Sequence, residues 1–116
     1  MSHRFCGRCQ FSIRFFFGCE GGDPLTGWAF DAKRNPFGAR LNPIFGSDLG
    51  HFDLPAMTDA LPEAWELVEH GHLSEEDFRD FMFVNPVRLH AGMNPDFFKG
   101  TAIETEVARA LRESRE

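Results

Sequence analysis

Two carboxylates and an imidazole follow a short apolar run near the middle of the chain. The run ends at Gly46, and Asp48, His51 and Asp53 come directly after it. Carboxylate oxygens and imidazole nitrogens bind divalent metals, and a carboxylate beside a metal-bound water can take its proton. Because parallel α/β folds build their chemistry where strands end, Asp48 is the first candidate for a catalytic residue and metal ligand.

Each of these three side chains also has a structural interpretation. Asp48 can cap the following turn through its own backbone, as short aspartates often do. His51 either lines a pocket or is a partly buried structural histidine. Asp53 precedes Leu54-Pro55, and this order predicts that Asp53 is the N-cap of the next helix.

A second acidic pair stands at the end of an earlier predicted strand. Phe11 to Cys19 is rich in Phe, which predicts a strand, and the glycines and proline around Glu20 and Asp23 stop it. Carboxyl ends of parallel strands meet at one edge of a sheet. Glu20, Asp23 and His51 are therefore candidate substrate-pocket residues.

The elements that would position these residues follow an α/β order. Residues 1–10 show no periodicity and are interpreted as irregular. Leu41 to Gly46 is short and apolar, as a buried parallel strand would be. A long crossover joins the two predicted strands, and helices follow them. This βαβα order favours a parallel pair with a right-handed connection.

The predicted helices are marked by apolar spacing and by capping residues. In the first predicted helix, Gly71 ends the helix and five apolar residues form one stripe. The five residues are Met57, Leu61, Ala64, Trp65 and Val68. Ser74 with Asp77 predicts the start of the next helix. Asn85-Pro86 is expected to break that helix or to restart it before Val87 to Ala91. Thr101 with Glu104 is expected to open the last helix.

Composition limits the partners. The chain has 116 residues, 12 Lys and Arg against 18 Asp and Glu, and a formal charge of −6, which argues against nucleic acid. No apolar run is long enough to cross a bilayer, so no membrane partner is expected. Three cysteines, an odd number, fit a reducing cytoplasmic compartment.

The cysteines allow a second interpretation. Cys6 and Cys9 form one CxxC pair, with His3 before it and Cys19 after it. This arrangement would suit a small zinc-binding or interaction module, although a zinc knuckle normally needs a matching second pair.

Four segments together resemble the C-terminal part of an amidohydrolase-related (amidohydrolase 2) protein, over about residues 17–106. They are Phe45-Gly46-Ser47-Asp48, Leu61-Pro62-Glu63-Ala64-Trp65-Glu66-Leu67-Val68, Asp77-Phe78-Arg79-Asp80-Phe81 and Asn85-Pro86-Val87-Arg88-Leu89. The resemblance implies a metal-dependent (β/α)8 barrel that hydrolyses a small-molecule substrate, or a related non-oxidative decarboxylase. Residues 11–116 would then carry barrel strands seven and eight, and Asp48 would match the metal-facing aspartate of strand eight.

The chain lacks other residues that the resemblance implies. The family's His-x-His on the first strand has no match near the start, and His70-Gly71-His72 follows the last predicted strand. A complete barrel needs roughly 250 residues, and catalytic Zn usually takes three protein ligands. We therefore expect a C-terminal βαβα fragment that is inactive alone, retains no Zn or other divalent metal, and self-associates through its open strand edges.

Overall fold

The structure is a computed structural model and describes residues 15–114 of the chain. Strands β1 (Phe16–Glu20) and β2 (Asn42–Gly46) pair in parallel as a two-stranded sheet. Phe16 lies opposite Asn42 and Glu20 opposite Gly46, so both strands end at the same edge. The α/β class and the parallel pair are confirmed, and the barrel assignment stays a prediction. The predicted irregular segment, residues 1–10, and the first four residues of the predicted Phe11 to Cys19 strand lie outside the described residues.

Short helices fill the crossover, and longer ones follow the sheet. The crossover contains helix α1 (Thr26–Ala29) and a 3-10 turn (Pro36–Gly38). After β2 come, in order, a 3-10 turn (Met57–Asp59), α2 (Ala60–Glu69), α3 (Glu75–Arg79), a π-helical turn (Asp80–Val84), α4 (Asn85–Met93) and α5 (Glu104–Glu113). No helix among residues 15–114 is long and apolar enough to cross a membrane.

Helix α2 ends where the sequence predicts, but only part of its predicted apolar stripe is buried. Gly71 adopts a φ of 76°, its N–H donates to the Val68 carbonyl, and the next N–H donates to the Leu67 carbonyl. This is the glycine-terminated Schellman arrangement. The predicted stripe is right only in part: Ala64 is buried and Val68 packs against the core, whereas Met57, Leu61 and Trp65 are exposed. Leu67, which is not in the predicted stripe, is buried as well.

At Asn85-Pro86 the structure shows the predicted restart and not a break, because a new helix, α4, begins at Asn85. Ser74 caps α3 as predicted, with its Oγ accepting from the Asp77 N–H at 3.0 Å. From there the backbone stays helical through residues 75–93, because the π turn leads directly into α4 and Asn85 has helical dihedral angles. The Asn85 side chain is buried and donates to the Pro43 carbonyl of β2 at 2.9 Å, which fastens the helix to the sheet.

The last helix begins later than its predicted cap. Helix α5 starts at Glu104, and the hydroxyl of Thr101 donates to the Phe98 carbonyl instead of capping the helix. Glu104 accepts from the Gly100 N–H at 2.9 Å, so the acidic member of the predicted motif closes the preceding turn.

The core lies between the helix-facing side of the sheet and the helices that follow it. Its buried members are Phe30, Leu67, Leu73 and Phe81, and Cys19 and Phe45 of the strands pack against them. Phe45 meets Phe81 edge to face at a centroid distance of 5.9 Å. Burial of these side chains is the main stabilising contribution to such a fold.

An ionic contact joins the crossover to the helices. Arg40, just before β2, contacts Asp77 at 2.9 Å and Asp80 at 3.1 Å, one carboxylate on each terminal nitrogen. The same guanidinium stacks over the ring of Phe30 at 4.8 Å. Burial raises the pKa of Asp80, and the nearby Arg40 partly offsets that effect.

Candidate metal centre

Asp48, His51 and Asp53 lie together in the loop that follows β2. One potential ligand atom from each side chain can be chosen so that all three lie within 4.8 Å of one another. His51 Nδ1 is 3.1 Å from Asp48 Oδ2, the distance of a hydrogen bond. Asp48 is half-buried, and the other two side chains are exposed. The strand end therefore brings Asp48 and His51 together, as their spacing suggested.

The backbone of this loop is closed on itself. Asp48 has a φ of 53°, in the left-handed region that favours glycine and tolerates Asp or Asn. Gly50, at a φ of 99°, donates its N–H to the Leu54 carbonyl at 3.2 Å. Leu54 is buried and anchors the far end of the loop. The three polar side chains are thus presented by a turn held at both ends.

The donor set suits a hard or borderline divalent cation. Two carboxylates and one imidazole are ligands that Zn²⁺ accepts, usually at bond lengths of about 2.0–2.2 Å. A cation bound by both Asp48 and His51 Nδ1 would replace the proton between them. Alternatively, His51 does not bind the metal itself, and its Nδ1–H donates to Asp48 and holds that carboxylate in the orientation that binds the metal.

The N-cap prediction for Asp53 is wrong. Ala56 is extended, with a φ of −114° and a ψ of 128°, and the first helical turn starts at Met57. Pro55 disfavours helical geometry at Leu54, the residue before it, so a helix that starts directly after Asp53 is disfavoured. Asp53 instead lies beside Asp48 and His51. The three residues are close in sequence, but the order Asp53-Leu54-Pro55 favoured a helix cap.

Glu20 and Asp23 occupy the same end of the sheet but do not belong to the three-residue group. Glu20 is the last residue of β1 and is exposed. Asp23 Oδ1 accepts from the Leu25 N–H at 2.9 Å and so caps its own turn. Their assignment to a substrate pocket, like that of His51, stays a prediction.

The zinc-module alternative falls mainly outside the described part of the chain. Cys6, Cys9 and His3 precede residue 15, so only Cys19 can be placed. Its thiol is half-buried, and it donates to the Phe17 carbonyl at 3.6 Å. Burial raises the pKa of this thiol, and the Thr26 hydroxyl partly offsets that effect.

Comparisons of the sequence and the structure with protein-family models, with curated proteins and with solved structures found no match. The functional argument therefore rests on the residues themselves.

Proposed function

We propose that this chain is the C-terminal portion of a metal-dependent hydrolase related to the amidohydrolases, with β1 and β2 as the last two strands of a (β/α)8 barrel. The observation that carries the proposal is the group of Asp48, His51 and Asp53 at the carboxyl end of a parallel strand. In barrels of this architecture the active site lies at that end of the strands.

Within the intact enzyme each residue of the group has a defined task. A bound divalent metal would polarise a substrate carbonyl and lower the pKa of a water molecule. Asp48 would contribute a carboxylate oxygen to that metal, and its carboxylate would serve as the acceptor for a proton of the attacking water. His51, 3.1 Å from Asp48, holds that carboxylate in place. Asp53 adds a second negative charge, which favours a cation at this loop.

The open sheet also supports a larger fold. Parallel strands normally occur in sheets covered on both faces, and small two-stranded sheets are rarely stable alone. Among residues 15–114 no further strand accompanies β1 and β2, and the other strands of an intact barrel would lie beside them. The remaining metal ligands would come from those strands, so hydrolase activity is not expected of residues 1–116 by themselves.

A Zn²⁺ titration of the whole chain tests the role of Asp48. Calorimetry is expected to show binding that is too weak for the chain to retain Zn²⁺ through purification, and Asp48→Asn should weaken it by at least about tenfold, because it removes a ligand charge. Asn is the suitable replacement because it also tolerates the left-handed backbone at this position. Asp96→Asn is the matched control, since Asp96 is an exposed aspartate outside the loop, and it should bind Zn²⁺ like the original chain.

Cysteine variants show which result would contradict the role of Asp48. Zinc that is lost in a Cys6→Ser, Cys9→Ser double variant but kept in Asp48→Asn would reject the metal centre and favour the zinc-module alternative.

The coding DNA upstream of Met1 tests the hydrolase assignment separately. We expect it to encode, in frame or after a frameshift, a His-x-His motif and two later histidines. Sequencing that region in genome and transcript would check this. Upstream DNA without such a stretch in any frame would contradict the assignment, whatever the Zn²⁺ titration shows.

A further inference from the structure

A small cavity of about 100 Å³ lies between helix α2 and the loop that follows β1. Gly22 and Pro24 line it from the loop, and Leu67 lines it from the helix. Its other lining residues all carry side chains that can bind a metal. They are Glu63, Glu66, His70 and His72. The cavity is separate from the metal loop, because none of the residues of the Asp48 group lines it.

The size of the cavity and the charge of its walls favour a small cation. The volume of about 100 Å³ corresponds to roughly three water molecules, whereas organic ligands usually fill pockets of about 300 Å³ or more. Neither Glu63 nor Glu66 forms an ion pair with a Lys or Arg of residues 15–114. A divalent cation with a few water molecules therefore matches both the space and the unpaired carboxylates.

The end of helix α2 brings the two imidazoles of this cavity together. Gly71 turns the chain with a φ of 76°, and the His72 N–H donates to the Leu67 carbonyl at 2.8 Å. The His72 carbonyl packs so closely against Gly27 of α1 that a Cβ there would collide with it. With the backbone fixed on both sides, the rings of His70 and His72 lie nearly perpendicular, and their centroids are 6.4 Å apart.

We propose that Glu66, His70 and His72 bind one divalent transition-metal ion. Glu66 precedes His70 by four residues, so the two side chains are neighbours on one face of the helix end. Imidazole and carboxylate ligands suit Zn²⁺, and imidazole also suits Ni²⁺ and Cu²⁺. Glu63, half-buried on the cavity wall, adds a further negative charge.

Binding requires a small movement of exposed side chains. The donors of this cavity are spread more widely than those of the Asp48 group. Two imidazoles on one tetrahedral Zn²⁺ have ring centroids about 5 Å apart, against the 6.4 Å of His70 and His72. Glu66 and both histidines are exposed, and exposed side chains change rotamer within nanoseconds, so the metal can draw its ligands together.

NMR signals of the imidazole nitrogens test this site, because each histidine reports on its own surroundings. During a Zn²⁺ titration of the whole chain, the signals of His70 and His72 should change along one common binding curve. The signals of His51 report on the metal loop separately. Those of His90, which stacks on Phe97 at a centroid distance of 4.6 Å, should not change.

Three variants test the ligands one by one. His72→Gln should weaken Zn²⁺ binding, followed on the His70 signals, by at least about tenfold, because it removes one of three ligands. Glu66→Gln should weaken binding by about tenfold for the same reason. Glu69→Gln is the matched control: it makes the same charge change at an exposed residue of α2 that does not line the cavity, and it should bind Zn²⁺ like the original chain.

Three results would each overturn the proposal. They are unchanged His70 and His72 signals in the original chain, different binding curves for these two residues, and equal affinity in Glu66→Gln and Glu69→Gln. The first two need no variant, so they hold even if a variant fails to fold. A His70→Gln, His72→Gln double variant removes this site, and the Zn²⁺ titration at Asp48 can be measured in that background. The two metal sites can therefore be rejected independently.

Discussion

At the scale of single residues, Asp80 couples stability to pH. Its carboxylate is half-buried between the crossover and the helices, and it contacts Arg40 at 3.1 Å. Burial raises the pKa of Asp80 above its ordinary value of 3.8, and Arg40 opposes that rise without cancelling it. The folded state therefore holds the proton more tightly than the unfolded state does. The resulting stabilisation is present below pH 3.8 and is lost as the pH rises through the folded-state pKa.

Asp80→Asn should remove this dependence. Measured by urea unfolding at a series of pH values, the stability of the original chain relative to Asp80→Asn should fall as the pH rises from 3.8 toward neutrality. Arg40→Met should steepen the fall, because it removes the charge that lowers the pKa of Asp80. Parallel stability curves for the original chain and Asp80→Asn would show that burial of Asp80 does not matter.

The candidate residues differ in how far the sequence could predict them. Asp48 was predictable because a short apolar strand followed by glycines fixes where a strand ends. The place of Asp53 was not predictable, because Asp before Leu-Pro is also typical of a helix cap, and the helical turn in fact starts only at Met57, after an extended Ala56.

At the scale of elements, the order of strands and helices followed from local signals. The Ser74 cap and the Gly71 stop are short-range features, and the structure confirms both. The π turn Asp80–Val84 was missed because no residue pattern in the sequence marks it. Pro86 lies in the first turn of α4, where a proline is tolerated because the first N–H groups of a helix have no partner within it.

The prediction of the buried face of α2 was incomplete for a different reason. Helical spacing predicts which residues share a face, but it does not predict which face the sheet and α3 will cover. Here the neighbours cover Ala64 and Leu67, and Met57 and Leu61 are left exposed. Periodicity alone cannot make that choice when apolar residues occupy more than one side of a helix.

At the scale of the whole molecule, the open sheet predicts self-association. Edge strands with unpaired N–H and C=O groups are templates for pairing with another chain. Gly18 lies in the middle of β1, and a Cβ added there would meet nothing within 4 Å. Gly18→Lys should therefore be accommodated, and its charge should lower self-association, measured by sedimentation velocity over a range of concentrations.

Gly18→Val is the matched control for that experiment. It fits the same space and favours a strand, but it adds no charge, so association should persist or increase. Equal monomer fractions in the Lys and Val variants would show that the sheet edges do not carry the association.

The left-handed backbone of Asp48 has an evolutionary consequence. Shape alone would admit Gly at this position more readily than Asp, and Asn at least as readily, because φ is 53°. Drift under purely structural constraint would therefore interchange these three residues in descendants of a common ancestor. Selection for the carboxylate would retain Asp at position 48 although the backbone conformation favours Gly or Asn. The replacements found at position 48 therefore indicate whether ancestors of this chain used that side chain for chemistry.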